Sequence, residues 1–137
     1  YVNEDPLVTA MLFGADYRKG FLDDIAPNMN KIVILDRYLL SYYVFQGYLL
    51  GVDYACLDMI CKEIKYPDVQ IVIHRKEAIQ LQYNNDSFVF VAKQLKESGK
   101  LNQLHIVDNI LSGTDNINLE GYNKVIKIID RNIKLKF

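Results

Sequence analysis

Two cysteines and two histidines are all that this chain offers to thiol or soft-metal chemistry. Cys56 and Cys61 stand five apart in a predicted helix, which puts them on different faces. That scarcity excludes a disulfide framework, and free, reduced thiols point to a cytoplasmic protein. His74 and His105 lie in or beside predicted strands without ligand-spaced partners, so neither is read as a metal ligand and no metal site is expected. An excess of either charge is also lacking, since 16 Lys+Arg stand against 17 Asp+Glu for a net charge of −1. No broad basic surface is on offer, which argues against nucleic acid and against an anionic membrane as partners. No apolar run approaches the ~20 residues that span a bilayer, and no signal-peptide pattern stands at Tyr1. Internal repeats, low-complexity tracts and linkers are missing too, so a single domain is expected over residues 1–137.

What is present is enough apolar material for a core: half of the 137 residues are apolar by type. The ten Tyr and six Phe are scattered among Leu and Ile, and most of them read as core rather than as base-stacking platforms. Helical and strand-like segments alternate along the chain. Asp5-Pro6 is a good helix start, with Asp as N-cap and Pro in the first turn, and Pro27 ends that segment. Residues 31–36 read as a first strand, and a helix over about 38–50 stops at Gly51. Asp53 should cap another helix near 53–65, with Leu57, Ile60 and Ile64 as its buried stripe. Residues 69–73 and 104–108 read as two further strands, with helices at 75–82 and 87–98 and a stop at Ser98-Gly99. Leu119, Tyr122, Val125, Ile126, Ile129 and Ile133 trace one face of a last helix. Strands alternating with helices predict an α/β fold, a three-layer parallel sheet with helices on both faces.

The most informative stretch runs from Ile32 through Val33-Ile34-Leu35 to Asp36-Arg37-Tyr38, then Ser41 and Phe45-Gln46-Gly47. A charged Asp-Arg pair stands at the carboxyl end of a short apolar run, where open α/β sheets bind their ligands. Arg37 is permanently cationic and carries a planar fork of donors suited to phosphate oxygens. Asp36 can hold a magnesium ion through water or accept a proton from a reacting group. The plainer reading of an isolated Asp-Arg pair is an ion pair that caps the next helix.

The flanking residues favour the functional reading, because the segment resembles the thymidylate kinase family. That family has Asp-Arg-Tyr after a strand, a serine three residues on, then aromatic-Gln-Gly, as in Asp36-Arg37-Tyr38, Ser41 and Phe45-Gln46-Gly47. Leu12-Phe13-Gly14-Ala15-Asp16 resembles its Leu-Phe-Ala-Ala-Asp helix, and Tyr66-Pro67-Asp68-Val69 its Pro-Asp approach to the following strand. The resemblance implies a P-loop nucleoside monophosphate kinase-like fold and transfer of the ATP γ-phosphoryl group to dTMP with Mg²⁺, giving dTDP for dTTP synthesis. Arg37 would hold the dTMP phosphate and Asp36 would orient the magnesium shell or the acceptor phosphate. Phe13 would stack on thymine, Gln46 would hydrogen-bond the pyrimidine edge, and Phe45 would crowd the sugar 2′ position. Ser41 would touch substrate, or bond back to its own helix. A homodimer formed through helices flanking the sheet is the family's usual assembly.

Two departures stand out. The family's Ala-Asp-Arg reads Ala15-Asp16-Tyr17, with Arg18 one position late and about 100° further round the helix. Tyr17 can still donate a hydrogen bond to a thymine carbonyl. There is also no Gly-x-x-x-x-Gly-Lys-Ser/Thr loop, and an arginine-bearing lid that the family inserts after Ala78-Ile79-Gln80 is replaced almost at once by Tyr83-Asn84-Asn85-Asp86. No residue here is therefore assigned to ATP. The expectation is a domain incomplete at its N-terminus and near residue 82, with ATP-binding segments outside the 137 residues. A non-catalytic nucleotide-binding remnant and a kinase for another nucleoside monophosphate remain as alternatives.

Overall fold

The computed structural model describes residues 5–74, 85–108 and 119–136, and the chain divides into two compact units at Tyr66/Pro67. The expected helix over 75–82 lies outside the described residues.

The first unit is helical. Helix α1 (Pro6–Gly20) starts as its sequence dictates: Asp5 Oδ1 accepts from Leu7 N at 2.7 Å, and Pro6 occupies the first turn. The helix widens into a π-turn at Phe21–Ile25 and tightens into a 3₁₀-turn at Ala26–Asn28, around Pro27. A short α2 (Leu39–Tyr42) continues as a second π segment, Tyr43–Leu49. Gly51 takes a left-handed backbone (φ 75°), which lets Gly51 N and Val52 N donate back to the carbonyls of Gly47 and Gln46 at 2.8 and 3.0 Å. Helix α3 (Tyr54–Ile60) is capped by Asp53, which accepts from Ala55 N at 2.7 Å, and its carboxyl end gives way to turns that bury Cys61 and Ile64.

Two glycines set how closely these helices approach. A Cβ on Gly14 would lie 2.1 Å from Ile60 Cγ2, so α1 meets α3 with nothing between backbone and branch. A Cβ on Gly47 would lie 2.3 Å from the Tyr54 ring and 3.1 Å from Leu57 Cδ1.

One expectation is corrected here. Residues 31–36 do not form a strand. Residues 32–35 run without regular structure, outside any ladder among the described residues, and their four apolar side chains are exposed, Ile34 by 77%. A short apolar run becomes a strand only when a neighbour pairs its N–H and C=O groups, and hydrophobicity cannot supply that neighbour. The described sheet thus has two strands where three were expected.

The second unit is a β–α–β arrangement with a closing helix. Strand β1 (Val69–His74) pairs parallel with β2 (Gln103–Asp108), in a register from Val69↔Gln103 to His74↔Asp108. Helix α4 (Asn85–Glu97) packs on both strands, and α5 (Leu119–Lys136) packs on β2. Val91, Ala92 and Leu95 on α4 are buried, as are Val72 and Val107 on the strands and Leu101 before β2. Parallel strands joined by helices make this an α/β protein, as the alternation of segments implied.

At the carboxyl ends of the two strands, His74 is held between carboxylates. Its Nε2 lies 2.8 Å from Asp86 Oδ1 at the start of α4, and its Nδ1 lies 3.1 Å from Asp108 Oδ1 on β2. The hydrogen bonds to Asp86 and then to Asp108 raise its pKa above the ordinary 6.5. The imidazolium therefore favours the folded chain. That contribution is present in full below the unfolded pKa and is lost as pH rises through the raised folded value.

Two expectations follow. Gly47→Ala should destabilise the chain by about 1–3 kcal/mol, since an aromatic ring and not a flexible tip must move, and a lowered midpoint in urea checks it. Wild type should lose stability as pH rises past the ordinary imidazole value of 6.5 and through the raised folded value, and His74→Gln should flatten that loss, as read by urea unfolding at each pH.

Candidate functional site

The candidate residues gather where the extended run ends. Arg37 carries a left-handed backbone (φ 61°), the only non-glycine residue with positive φ among those described. For a side chain with a Cβ this costs ~1–3 kcal/mol, and such strain collects at functional turns. It turns the chain between the exposed run and buried α2. The guanidinium sits over the Phe45 ring, with Cζ 5.9 Å from the centroid, within range of a cation–π contact. Asp36 precedes it, exposed.

Tyr17 of α1 lies in the electrostatic reach of Arg37. Burial raises the Tyr17 pKa, and the Arg37 charge partly offsets that rise. Its ring meets Tyr38 edge-on at 6.1 Å between centroids and Tyr42 at 5.5 Å. Such pairs contribute roughly 0.5–1.5 kcal/mol each beyond their burial. Tyr42 is anchored in turn, because its hydroxyl donates to the buried carbonyl of Ala10 at 2.7 Å. Tyr38 donates to the carbonyl of Lys65 at 3.1 Å, and burial pushes its pKa up to about 12.

The next layer fixes α2 from behind. The Tyr43 hydroxyl lies 2.6 Å from Asp58 Oδ1 and 2.6 Å from the Tyr66 hydroxyl. An ionised carboxylate only accepts, so Tyr43 donates to Asp58 and Tyr66 donates to Tyr43. Burial first, then these two bonds, push the Tyr43 pKa far up, so it stays a neutral donor.

Ser41 and Gln46 are both buried, and Gln46 Oε1 has no hydrogen-bond partner among the described residues and almost no contact with solvent. A buried carbonyl oxygen left unpaired costs ~1–3 kcal/mol, a cost removed by any donor that reaches it. Phe13 stands on α1 one turn before Tyr17, so both share a face of the helix, and its ring is 49% exposed. Arg18 is exposed.

Arg37, Phe45 and Tyr17 are thus brought together, and Gln46 follows Phe45 in the same π segment. A π-turn rotates successive side chains differently from an α-turn and recurs at functional sites. Sequence reading missed the roles of Tyr38, Tyr42, Tyr43 and Tyr66. The only signal was the density of tyrosines around the motif. No group of three His, Cys, Asp or Glu that could hold a metal ion occurs among the described residues.

The parallel β–α–β unit is that of an α/β protein, and the family match makes the class the P-loop nucleoside monophosphate kinase fold. A sequence model of the family described as thymidylate kinase matches residues 2–118. The chain belongs to the thymidylate kinase family. It is 28% identical over 152 residues to the thymidylate kinase of Wolbachia pipientis subsp. Culex pipiens, covering 96% of this chain and 71% of that protein. Against that of Mycoplasmoides gallisepticum it is 28% identical over 141 residues, covering 97% of this chain and 62% of the relative. Against that of Staphylococcus haemolyticus it is 36% identical over 76 residues, covering 52% and 37%. The chain thus spans between about a third and about seven tenths of the length of these relatives. No solved structure gives a match.

Burial also acts on Cys61, pushing its thiol up to about 11. A thiol so raised is protonated and unreactive near neutral pH. Alkylation of the folded chain with iodoacetamide at pH ~8 should therefore modify Cys56, which is only part-buried, well before Cys61, as read by peptide mass.

Proposed function

We propose that this chain supplies the dTMP-binding part of a thymidylate kinase, which moves the γ-phosphoryl group of ATP onto dTMP to give dTDP. The observation that carries the reading is Arg37. A permanently charged fork is held on a strained turn beside an aromatic ring, with a buried, unpaired Gln46 carbonyl one residue after that ring.

Each residue then has a task that its surroundings support. Arg37 takes the dTMP phosphate and screens repulsion between acceptor and donor phosphates, which lets the two approach in line. Gln46 Oε1 accepts the pyrimidine N3–H, ending its isolation. The exposed Phe13 ring stacks on the base, a contact that contributes ~1–3 kcal/mol in comparable sites. Phe45 holds the Arg37 guanidinium and crowds the sugar 2′ position. Tyr17 takes the place of the family's arginine and presents a neutral hydroxyl to a base carbonyl. Ser41 is buried on α2 and is assigned contact with substrate only through its place in the motif.

Transfer is direct. A dTMP phosphate oxygen forms a bond to the γ-phosphorus while the bond from that phosphorus to the β–γ bridging oxygen breaks, and the electron pair leaves with ADP. Mg²⁺ neutralises the transferring oxygens when it is bound with ATP, and the exposed Asp36 carboxylate is suited to its water shell. A homodimer is supported by the exposed Leu7, Val8, Met11 and Leu12 on α1. A cytoplasmic location is supported by two free cysteines, and no described helix is long and apolar enough to cross a membrane.

Arg37→Ala should weaken dTMP binding by calorimetry ~30-fold or more, the effect of losing charge-assisted bonds to phosphate. The unfolding midpoint should barely change, because the side chain is exposed. Unchanged dTMP affinity in that variant would overturn the assignment of the pocket.

A further inference from the structure

We propose that the groove between β2 and α5 binds a phosphate-bearing small molecule with an apolar body, gripped by Lys127 and Arg131. The groove has a volume of about 380 Å³. Ligand pockets run from roughly 300 to 1,000 Å³, so a nucleotide-sized molecule fits. It belongs wholly to the second unit and contains none of the residues assigned to dTMP.

Its walls combine two chemistries. Leu104, Ile106 and Val107 of β2 and Ile128 of α5 supply an apolar lining. Lys124, Lys127 and Arg131 of α5 also line it, and their spacing of three and four puts the three cations along one helix face. Lys124 is already committed, with Nζ 2.6 Å from Glu120 Oε1. Lys127 and Arg131 have no ion-pair partner among the described residues. Both cations are thus left to the groove that they line. Positions four apart on a helix are neighbours, so one anion can meet both.

A third element sits in the same place. His105 lines the groove, and its Nε2 is shielded from solvent without a hydrogen-bond partner. Arg131 suits a phosphate through its planar fork and Lys127 through a mobile point charge, while the apolar walls take the rest of the molecule. An anion without an apolar body would use only half of the groove.

The test uses the whole ¹⁵N-labelled chain titrated with phenyl phosphate, with inorganic pyrophosphate as the purely ionic probe. Phenyl phosphate is expected to give saturable shifts at the His105 imidazole and at the Lys127 and Arg131 amides, and to bind more tightly than pyrophosphate. The double substitution Lys127→Ala/Arg131→Ala should weaken binding about tenfold or more, since both charge-assisted contacts are lost. Both side chains are exposed and alanine favours helix, so the fold should persist, and an unchanged far-ultraviolet circular dichroism spectrum with unshifted β2 amides would show it. Lys127→Glu should abolish binding. The proposal is overturned if no saturable shift appears at these three residues, or if the double variant binds phenyl phosphate as the wild type does.

Discussion

Tyr42 and Tyr43 are adjacent in the chain, fully buried, and tied in opposite directions. Tyr42 reaches back to the Ala10 carbonyl and so fixes α1, while Tyr43 reaches Asp58 and Tyr66 and so fixes α3 and the turn beyond it. Burying two phenols is favourable only because each hydroxyl keeps a partner; an unpaired one would cost several kcal/mol. Edge-to-face contacts then spread the constraint to Tyr17, Tyr38 and Tyr54. The tyrosines do two things at once. Tyr42 and Tyr43 join Leu39, Val44 and Leu57 in the core of the first unit, and the cluster holds still the base of the turn on which Arg37 is strained.

That coupling explains why the candidate pocket can carry its unfavourable features. A left-handed arginine and a buried, unpaired glutamine carbonyl are each destabilising, and both sit beside the most tightly tied helix of the unit. Strain persists only where the surroundings over-determine the backbone. Gly47 belongs to the same design, since the Tyr54 ring occupies the place of its missing side chain. The arrangement gives a rigid platform before any ligand arrives, as positioning an acceptor phosphate requires.

Much of this was legible in the sequence, for local reasons. Asp5-Pro6, Asp53 and Gly51 act through bonds to residues two to four positions away, so their caps and stops could be read directly. The strands at 69–73 and 104–108 could be read from short apolar runs, and they found each other as partners. Residues 32–35 had the same signal without a described partner, so hydrophobicity alone misled. The motif residues Arg37, Phe45 and Gln46 stood out by spacing, yet the π segment that carries Phe45 and Gln46 did not, because it packs on α1 and α3 from elsewhere in the chain. His74 looked solitary in sequence because its carboxylates come from 12 and 34 residues away.

Calorimetric titration of the chain with dTMP, dCMP and the ribonucleotide of thymine tests the central claim most directly. The Gln46 carbonyl needs a donor at the pyrimidine N3 and Phe45 crowds the 2′ position. The account therefore expects dTMP to bind about tenfold or more tightly than either, as befits a buried polar group left unpaired by the wrong base. Equal affinity for all three, or no binding of dTMP, would contradict it.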